Sequence, residues 1–235
     1  MTTQAVTATI GSGRMSKIFG GTVTDGVWTN IRDTLSDTNL GILIPRAPVN
    51  FVQAEYNGGL MAWRIQNAQS LQVSRRGWGA IDGNSCYKSA GIPTYAITPD
   101  DMIQVYAQPV DSTSAKSNAL AWVTTTKGTE LYQALAIADG TATAMTTALQ
   151  QQTFGDAAFN STLTQLSICL EDGASLDKVE FIDSAGGVVL TIQGDDRIPN
   201  GAAGGGTSAY YNLMVPSMSL MVTKGFAMKI TTKSA

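Results

Sequence analysis

The acidic residues that could perform chemistry in this chain occur as adjacent pairs: Asp100 with Asp101, Glu171 with Asp172, and Asp195 with Asp196. Two carboxylates facing each other across a cleft can act as the acid and base of glycoside hydrolysis, and carboxylate oxygens can bind Ca²⁺. Each pair, however, lies at a predicted turn or strand start, where Asp accepts hydrogen bonds from backbone N–H groups. We therefore predict turn-forming roles for these pairs, and no catalytic or metal-binding residue.

The chain contains no histidine, which removes the commonest general base and the commonest metal ligand. Ser–His–Asp catalysis, Cys–His catalysis and every zinc site that includes histidine are thereby excluded. The segment G-S-G-R-M-S-K at 11–17 is glycine-rich like a phosphate-binding loop, but it lacks the G-K-[ST] ending of that motif. We predict that the protein is not an enzyme and binds no cofactor.

Aromatic and basic side chains lie close together at several places in the sequence. This combination is favoured at protein–protein interfaces, and it can also stack on sugars or on single-stranded nucleic acid. We predict contacts with other subunits as its main role. The candidate interface residues are Arg14, Lys17, Phe19, Trp63, Arg64, Arg75, Arg76, Trp78, Tyr210 and Tyr211.

Charged residues make up 14% of the 235-residue chain, against a typical share of about 25%. A surface with so few charges is hard to keep free of apolar patches, so we expect part of it to be buried in an assembly. A surface built from Ser, Thr, Asn and Gln is the alternative. The net charge of −3 gives no global basic field for nucleic acid, and the basic residues of the N-terminal segment predict a weak contact at most.

The cysteines and the N-terminus bear on the cellular compartment. Cys86 and Cys169 are too few for a disulfide framework, and a bond between them stays open. No signal peptide or membrane-spanning run is visible. We expect a chain that is made in a cytoplasm and makes no membrane contact.

Alternating apolar and polar residues predict a mainly β protein, and the clearest β-hairpin is 178–194 with its tip at Ser184–Gly187. The Thr- and Gly-rich residues 1–26 predict an extended N-terminal arm, and 27–235 a single β-sandwich domain of jelly-roll type with about eight to ten strands. Helical spacing predicts a short helix near Trp28, Ile31 and Leu35, and one or two more within 131–159. Residues 75–79 are expected in an exposed loop.

The last predicted hairpin turns at T-K-G, residues 223–225, between two alternating runs. With the β-rich pattern, the few charges and the missing histidine, this ending resembles single jelly-roll structural proteins of virus particles, in particular those of bacteriophages. The resemblance implies a capsid shell or capsid-decorating protein, in particles formed in the host cytoplasm. It would assemble with copies of itself and with other virion proteins through contacts of the N-terminal arm, loops and sheet edges. It assigns no site residues.

An alternative function is a carbohydrate-binding, adhesin-like β-sandwich with a glycan partner. Its stacking faces would come from Trp63, Trp78, Tyr87 and Tyr95. The two functions differ in geometry, because glycan binding requires aromatic rings exposed together on one face, whereas subunit contacts bury them.

Overall fold

The structure is a computed structural model that describes residues 3–12, 15–39, 51–56, 60–71, 73–78, 86–88, 98–108, 116–170, 174–194, 211–215 and 218–234. The described chain is mainly β, with strands arranged in antiparallel sheets, which confirms the predicted fold class. It divides into two compact units, Met1–Pro109 and Val110–Ala235. The jelly-roll connectivity and the single domain over 27–235 stay predictions.

The first unit contains an eight-stranded sheet in the order β6-β5-β8-β3-β2-β1-β4-β7. One face of this sheet is apolar and buried. Directly paired residues of antiparallel strands point to the same side of a sheet, so the apolar residues of neighbouring strands line up on this face. Its described core includes Trp63, Ile65, Ile103 and Val105. The strands are β1 (Thr3–Ser12), β2 (Met15–Thr24), β3 (Thr29–Asp33), β4 (Phe51–Tyr56), β5 (Leu60–Asn67), β6 (Val73–Trp78), β7 (Cys86–Lys88) and β8 (Asp101–Gln108).

Most of the segment expected as an extended arm forms β1 and β2, which pair along their full length and occupy the interior of the sheet. Val6, Phe19 and Val23 are each no more than 1% exposed. Threonine is favoured in strands, so a Thr-rich segment can pair without a strong apolar alternation. For that reason the composition of these residues pointed to an arm although their backbone is paired.

Two further local predictions in this unit were wrong. The residues expected to form a helix near Trp28 include strand β3 instead, and Ile31 is buried whereas Leu35 is 91% exposed, so they share no helical face. Residues 75–78, expected in a loop, belong to β6 and pair with β5. In both places the pairing with a neighbouring strand, which local spacing does not encode, decides the conformation.

The second unit contains a six-stranded sheet and a four-stranded sheet. In the larger sheet the order is β12-β10-β9-β13-β16, and β17 also pairs with β13; in the smaller sheet it is β11-β18-β14-β15. The elements are β9 (Lys116–Thr125), β10 (Gly128–Ala138), β11 (Thr143–Ala144), β12 (Thr146–Thr147), α1 (Phe154–Ala157), β13 (Ser161–Leu170), β14 (Ala174–Ile182), β15 (Val188–Gln193), β16 (Tyr211–Val215), β17 (Leu220–Val222) and β18 (Ala227–Ser234).

These two sheets share one hydrophobic core, to which both contribute buried residues, as in a β-sandwich. Phe154 of α1 lies between them. Its ring centroid is 5.8 Å from that of Tyr132 on β10 and 5.3 Å from that of Phe181 on β14, both in edge-to-face geometry. Such aromatic pairs add about 0.5–1.5 kcal/mol each beyond the buried area, so Phe154 links the two layers of the core.

The predicted hairpin at 178–194 is confirmed as β14 and β15. At its tip, Asp183 Oδ1 accepts hydrogen bonds from the backbone N–H groups of Ala185 (2.9 Å) and Gly187 (2.8 Å). Gly186 has a φ of +88°, which glycine adopts without a steric penalty. Lys178 and Glu180, two residues apart on β14, form an ion pair at 2.9 Å.

The final strand-turn-strand segment is not a hairpin. β17 pairs with β13 in the larger sheet, whereas β18 pairs with β14 and β11 in the smaller one. Val222 and Phe226, on either side of the turn, are both buried in the shared core. The chain therefore crosses from one layer to the other at 223–225, where Gly225 has a φ of +83°.

The segment 131–159 contains one short helix, α1, with Thr153 accepting a hydrogen bond at its N-cap. Residues 131–138, expected to be helical, instead belong to strand β10. A bulge between Ala134 and Ile137 places Ala136 at a φ of 51° and shifts the alternation of buried residues. Leu135 is 51% exposed whereas Leu131 and Ile137 are buried, so the apolar residues of this segment do not form one buried helical face.

We predict that Gly155→Ala destabilises the second unit by about 1–3 kcal/mol or more, because overpacking a close backbone contact forces both segments apart. A Cβ at this position would lie 2.3 Å from the backbone nitrogen of Phe226. Urea denaturation followed by circular dichroism measures the loss.

The matched control is Gly21→Ala, whose new Cβ would lie 3.4 Å from its nearest described neighbour, Ile31 Cγ2. That distance is ordinary van der Waals contact, so the control should stay close to the unaltered chain. Equal stability of the Gly155→Ala variant and the unaltered chain would contradict the packing of α1 against the last turn.

Candidate functional site

The best-defined polar site lies on the face of the eight-stranded sheet opposite Trp63. Strand register places Asn30 of β3 beside Gln104 of β8, and Gln104 beside Arg64 of β5. Trp28, just before β3, and Tyr106, two residues after Gln104, complete the group. We call these five residues the Arg64 cluster.

Hydrogen bonds connect the polar members of the Arg64 cluster across three strands. Arg64 Nε donates to Gln104 Oε1 at 2.8 Å, and Gln104 Nε2 donates to Asn30 Oδ1 at 2.8 Å. Asn30 Nδ2 in turn lies 3.3 Å from Met102 Sδ. This chain of contacts fixes the orientation of both side-chain amides and of the guanidinium group.

The aromatic members hold the guanidinium from another side. Arg64 Cζ lies 4.1 Å from the ring centroid of Trp28, and the Trp28 and Tyr106 ring centroids are 5.4 Å apart at an interplanar angle of 52°. A cation–π contact of this kind contributes about 0.5–2 kcal/mol, depending on how far the cation is desolvated. The Arg64 cluster thus joins a loop residue, Trp28, to the middle of the sheet.

Two buried tyrosines have raised pKa values. Burial raises the pKa of Tyr106, in the Arg64 cluster, to about 12. Burial also raises the pKa of Tyr132 in the second unit, and the nearby carboxylate of Glu130 raises it further. Both phenols stay protonated and neutral at ordinary pH, so they serve as aromatic and hydrogen-bonding groups rather than as bases.

The structure places two candidate interface residues in the interior. Phe19 is 0% and Trp63 is 1% exposed, so neither can contact a partner while the chain is folded. Within the described part of the chain, the buried Trp63 indole nitrogen has no hydrogen-bond partner. The expected interface and stacking roles of these residues are therefore replaced by roles in packing, because alternation along β2 and β5 directs both side chains to the buried face.

Of the remaining candidates, the structure brings two together: Arg64 on β5 is the register partner of Arg76 on β6. Arg64 is half-buried within the Arg64 cluster. Among the others, Lys17 lies on β2, Arg75, Arg76 and Trp78 lie on β6, and Tyr211 lies on β16; their side chains, like residues Arg14 and Tyr210 as a whole, are outside the described part of the structure.

The first acidic pair behaves as a turn former. Asp101 is fully buried, and its carboxylate accepts hydrogen bonds from the Thr98 backbone N–H (2.8 Å) and from Asn67 Nδ2 (3.2 Å). Asp100 is exposed in the preceding turn. The predicted structural role is confirmed for Asp101, while the pairs at 171–172 and 195–196 lie outside the described residues.

Within the described ranges, no three His, Cys, Asp or Glu side chains are grouped so that they could hold a metal ion. In the same part of the chain, no helix combines the length and the apolar character needed to cross a bilayer. Cys86 lies on β7 and Cys169 on β13, and their side chains are outside the described set.

Sequence reasoning identified Arg64 but missed Trp28, Tyr106, Gln104 and Asn30. Gln104 and Tyr106 alternate with Ile103 and Val105, which indicates that they face the opposite side of the sheet, where Tyr106 is itself buried. No local signal brings Trp28, 36 residues before Arg64 in the chain, over the guanidinium. Only the pairing of β3 with β8 and of β8 with β5 does so.

Comparisons of the chain with protein-family models, with curated proteins and with solved structures found no match. The function must therefore be inferred from the residues and geometry described above.

We predict that stability decreases as the pH rises from about 10 towards 12. An unfolded tyrosine loses its proton near pH ~10, whereas Tyr106 holds its proton to about pH 12, so alkaline pH favours the unfolded state. The limiting slope is about 1.4 kcal/mol per pH unit for each such tyrosine. Urea denaturation between pH 8 and 12 measures it, and Tyr106→Phe should reduce the slope.

Absorbance at 295 nm provides the independent check, because it reports ionised tyrosine directly. The chain has seven tyrosines, and we expect Tyr106 and Tyr132 to ionise later than tyrosine in a model peptide or only on unfolding. Titration of all seven together near pH ~10, with the fold intact, would show that these phenols are accessible to water.

Proposed function

We propose that this protein is a structural subunit of a virus particle, either of the capsid shell or of a protein that decorates the capsid. The proposal is supported by a mainly β architecture of antiparallel sheets, by the low share of charged residues, and by the sequence resemblance to jelly-roll virion proteins. Its subunits associate with copies of themselves through loops and sheet edges.

The observation that carries the proposal is the exposure of large apolar side chains. Leu35 is 91% exposed, Leu71 65%, Leu149 60% and Met221 58%. Removing apolar surface from water contributes about 25 cal/mol per Å². A chain with 14% charged residues has few charges to offset such exposure, and association with other subunits covers it.

The N-terminal segment is not the main contact between subunits in this proposal, because its strands already have partners within the sheet. β1 and β2 pair with each other and with β4 and β3, so most of residues 1–26 already has backbone partners. Leu35, Leu71 and Leu149 lie in turns, and Met221 lies on the short strand β17. Turn and edge contacts therefore carry the association in this proposal.

We predict that the purified full-length chain forms oligomers or closed particles, and that Leu149→Lys weakens them by placing a charge in an apolar contact. Light scattering after size-exclusion chromatography gives the mass, and negative-stain microscopy shows whether rings or shells are present. The neighbouring Gln150→Lys is the matched control, since Gln150 is also exposed but polar. A strictly monomeric chain at high concentration would contradict the proposal.

A second candidate is a glycan-binding β module, for which the Arg64 cluster offers an aromatic and polar surface. Of the residues first expected to bind sugars, Trp78, Tyr87 and Tyr95 have side chains outside the described part of the structure. Trp28 is half-buried, and the neighbouring Asn30 is exposed. A sugar could therefore contact the edge of the Trp28 ring and the Asn30 side-chain amide together. Arg64 covers part of the same ring, and the buried Trp63 is removed from any stacking face.

For this candidate we expect a glycan array to show binding to a defined sugar class that Trp28→Ala abolishes. Asn30→Ala should weaken the same binding, since it removes the exposed amide, while leaving the fold unchanged in circular dichroism. Absence of binding to any glycan, in a chain that assembles, would leave the structural-subunit proposal as the only function supported.

A further inference from the structure

We propose that two copies of this chain associate edge to edge through β15, as an antiparallel pair about a two-fold axis at Thr191. The inference rests on the proposed self-assembly and specifies one of its contacts. Joining the two four-stranded sheets in this way would produce a continuous eight-stranded sheet across the dimer.

The direction of the β15 backbone provides the first argument. Among the described residues, β15 pairs with β14 alone. The Gly194 N–H donates to the Asp177 carbonyl at 2.7 Å, and backbone direction alternates along a strand. Ile192 and Leu190 therefore also direct their N–H and C=O groups to β14, and Thr191 and Gln193 direct theirs to the open side. The pairing with β14 shifts register between Leu190 and Val188, so the alternation extends only to Leu190.

The second argument is that most other sheet edges are charged or very short, whereas the irregularity of β15 is a register shift confined to its first residues. Proteins protect exposed edges with charged residues, with proline or by making the edge strand short. The edge strand β6 contains Arg75 and Arg76, and β7 has three residues including Lys88. Both β11 and β12 have only two residues. In contrast, β15 is six residues long and has no charge and no proline.

One other edge strand, β16, is also uncharged, but its side chains are outside the described set. On β15 the side chains are described, and Val188 is 53% and Val189 45% exposed. Exposed β-branched residues on a neutral strand are well suited to cross-strand packing, and a neutral edge meets its own copy without repulsion between like charges. Both properties favour a second copy as the occupant.

The register is centred on Thr191, which faces the open side in the regularly paired part of β15. Centring the axis at Thr191 places Thr191 opposite Thr191 of the second copy, and Val189 opposite Gln193 of the second copy. Thr191 of each copy then forms a hydrogen-bonded pair with its counterpart at the axis. This register also sets Leu190 opposite Ile192 of the second copy, on the side of the sheet where both pack against the core.

Cysteine cross-linking tests the register. Hydrogen-bonded antiparallel pairs have Cα atoms about 5.5 Å apart, within the range of about 4.4–6.8 Å that a disulfide spans. Thr191→Cys should therefore form a covalent dimer under mild oxidation. Gln193→Cys is the matched control, because two copies of position 193 would be about 13 Å apart along the strands. The unaltered chain controls for Cys86 and Cys169.

Lysine substitution tests the association itself. Thr191→Lys would place two ammonium groups against each other at the axis, so the dimer should be lost at concentrations where the unaltered chain is dimeric in light scattering. Ala185→Lys, at the exposed hairpin tip, should keep the dimer. Circular dichroism verifies that both variants stay folded.

The outcomes separate this inference from the proposed function. Cross-linking at position 191 but not at 193, with dissociation by Thr191→Lys, supports the β15 pair. If the unaltered chain assembles but Thr191→Cys does not cross-link, or Thr191→Lys assembles normally, the β15 pair is overturned and self-assembly stands. A monomeric unaltered chain overturns both.

Discussion

The position of the Phe154 ring between Tyr132 and Phe181 is the contact on which the second unit depends. It joins the layers of the sandwich through a helix of four residues. Gly155, the next residue, donates its backbone N–H to the Phe226 carbonyl at 2.7 Å, an approach that no side chain at position 155 would permit. A short insertion thus contributes an aromatic ring to the core and a hydrogen bond to the turn that connects the two sheets.

In the first unit the corresponding constraint is the alternation of the two sheet faces. Trp63 and Val105 face the buried side, while Arg64 and Gln104, one residue away on each strand, form the polar cluster on the other. Burial of the first set requires strand pairing, and that pairing aligns the second set in one row across the sheet. The cation–π contact and the linked amides therefore follow from the same register that forms the core.

The edge strands of the sheets are the part of this architecture through which the proposed subunit contacts would form. An edge strand has unused backbone donors and acceptors, and what it does with them depends on its side chains. Arginines occupy β6, whereas β15 presents valines and uncharged polar residues. Together with the exposed apolar side chains, this uneven distribution of charge underlies the proposal that the chain associates with other subunits.

The sequence by itself determined the mainly β class, the 178–194 hairpin and the capping role of Asp101, because each depends on alternation or turn chemistry within a few residues. It could not determine that β17 and β18 belong to different sheets, that residues 75–78 pair with β5, or that residues 131–138 are a strand. Nor could it bring Trp28 over Arg64 or assign Phe19 and Trp63 to the interior. Those features depend on which distant strands pair, and the pairing is decided by which residues become buried together in the core of each unit.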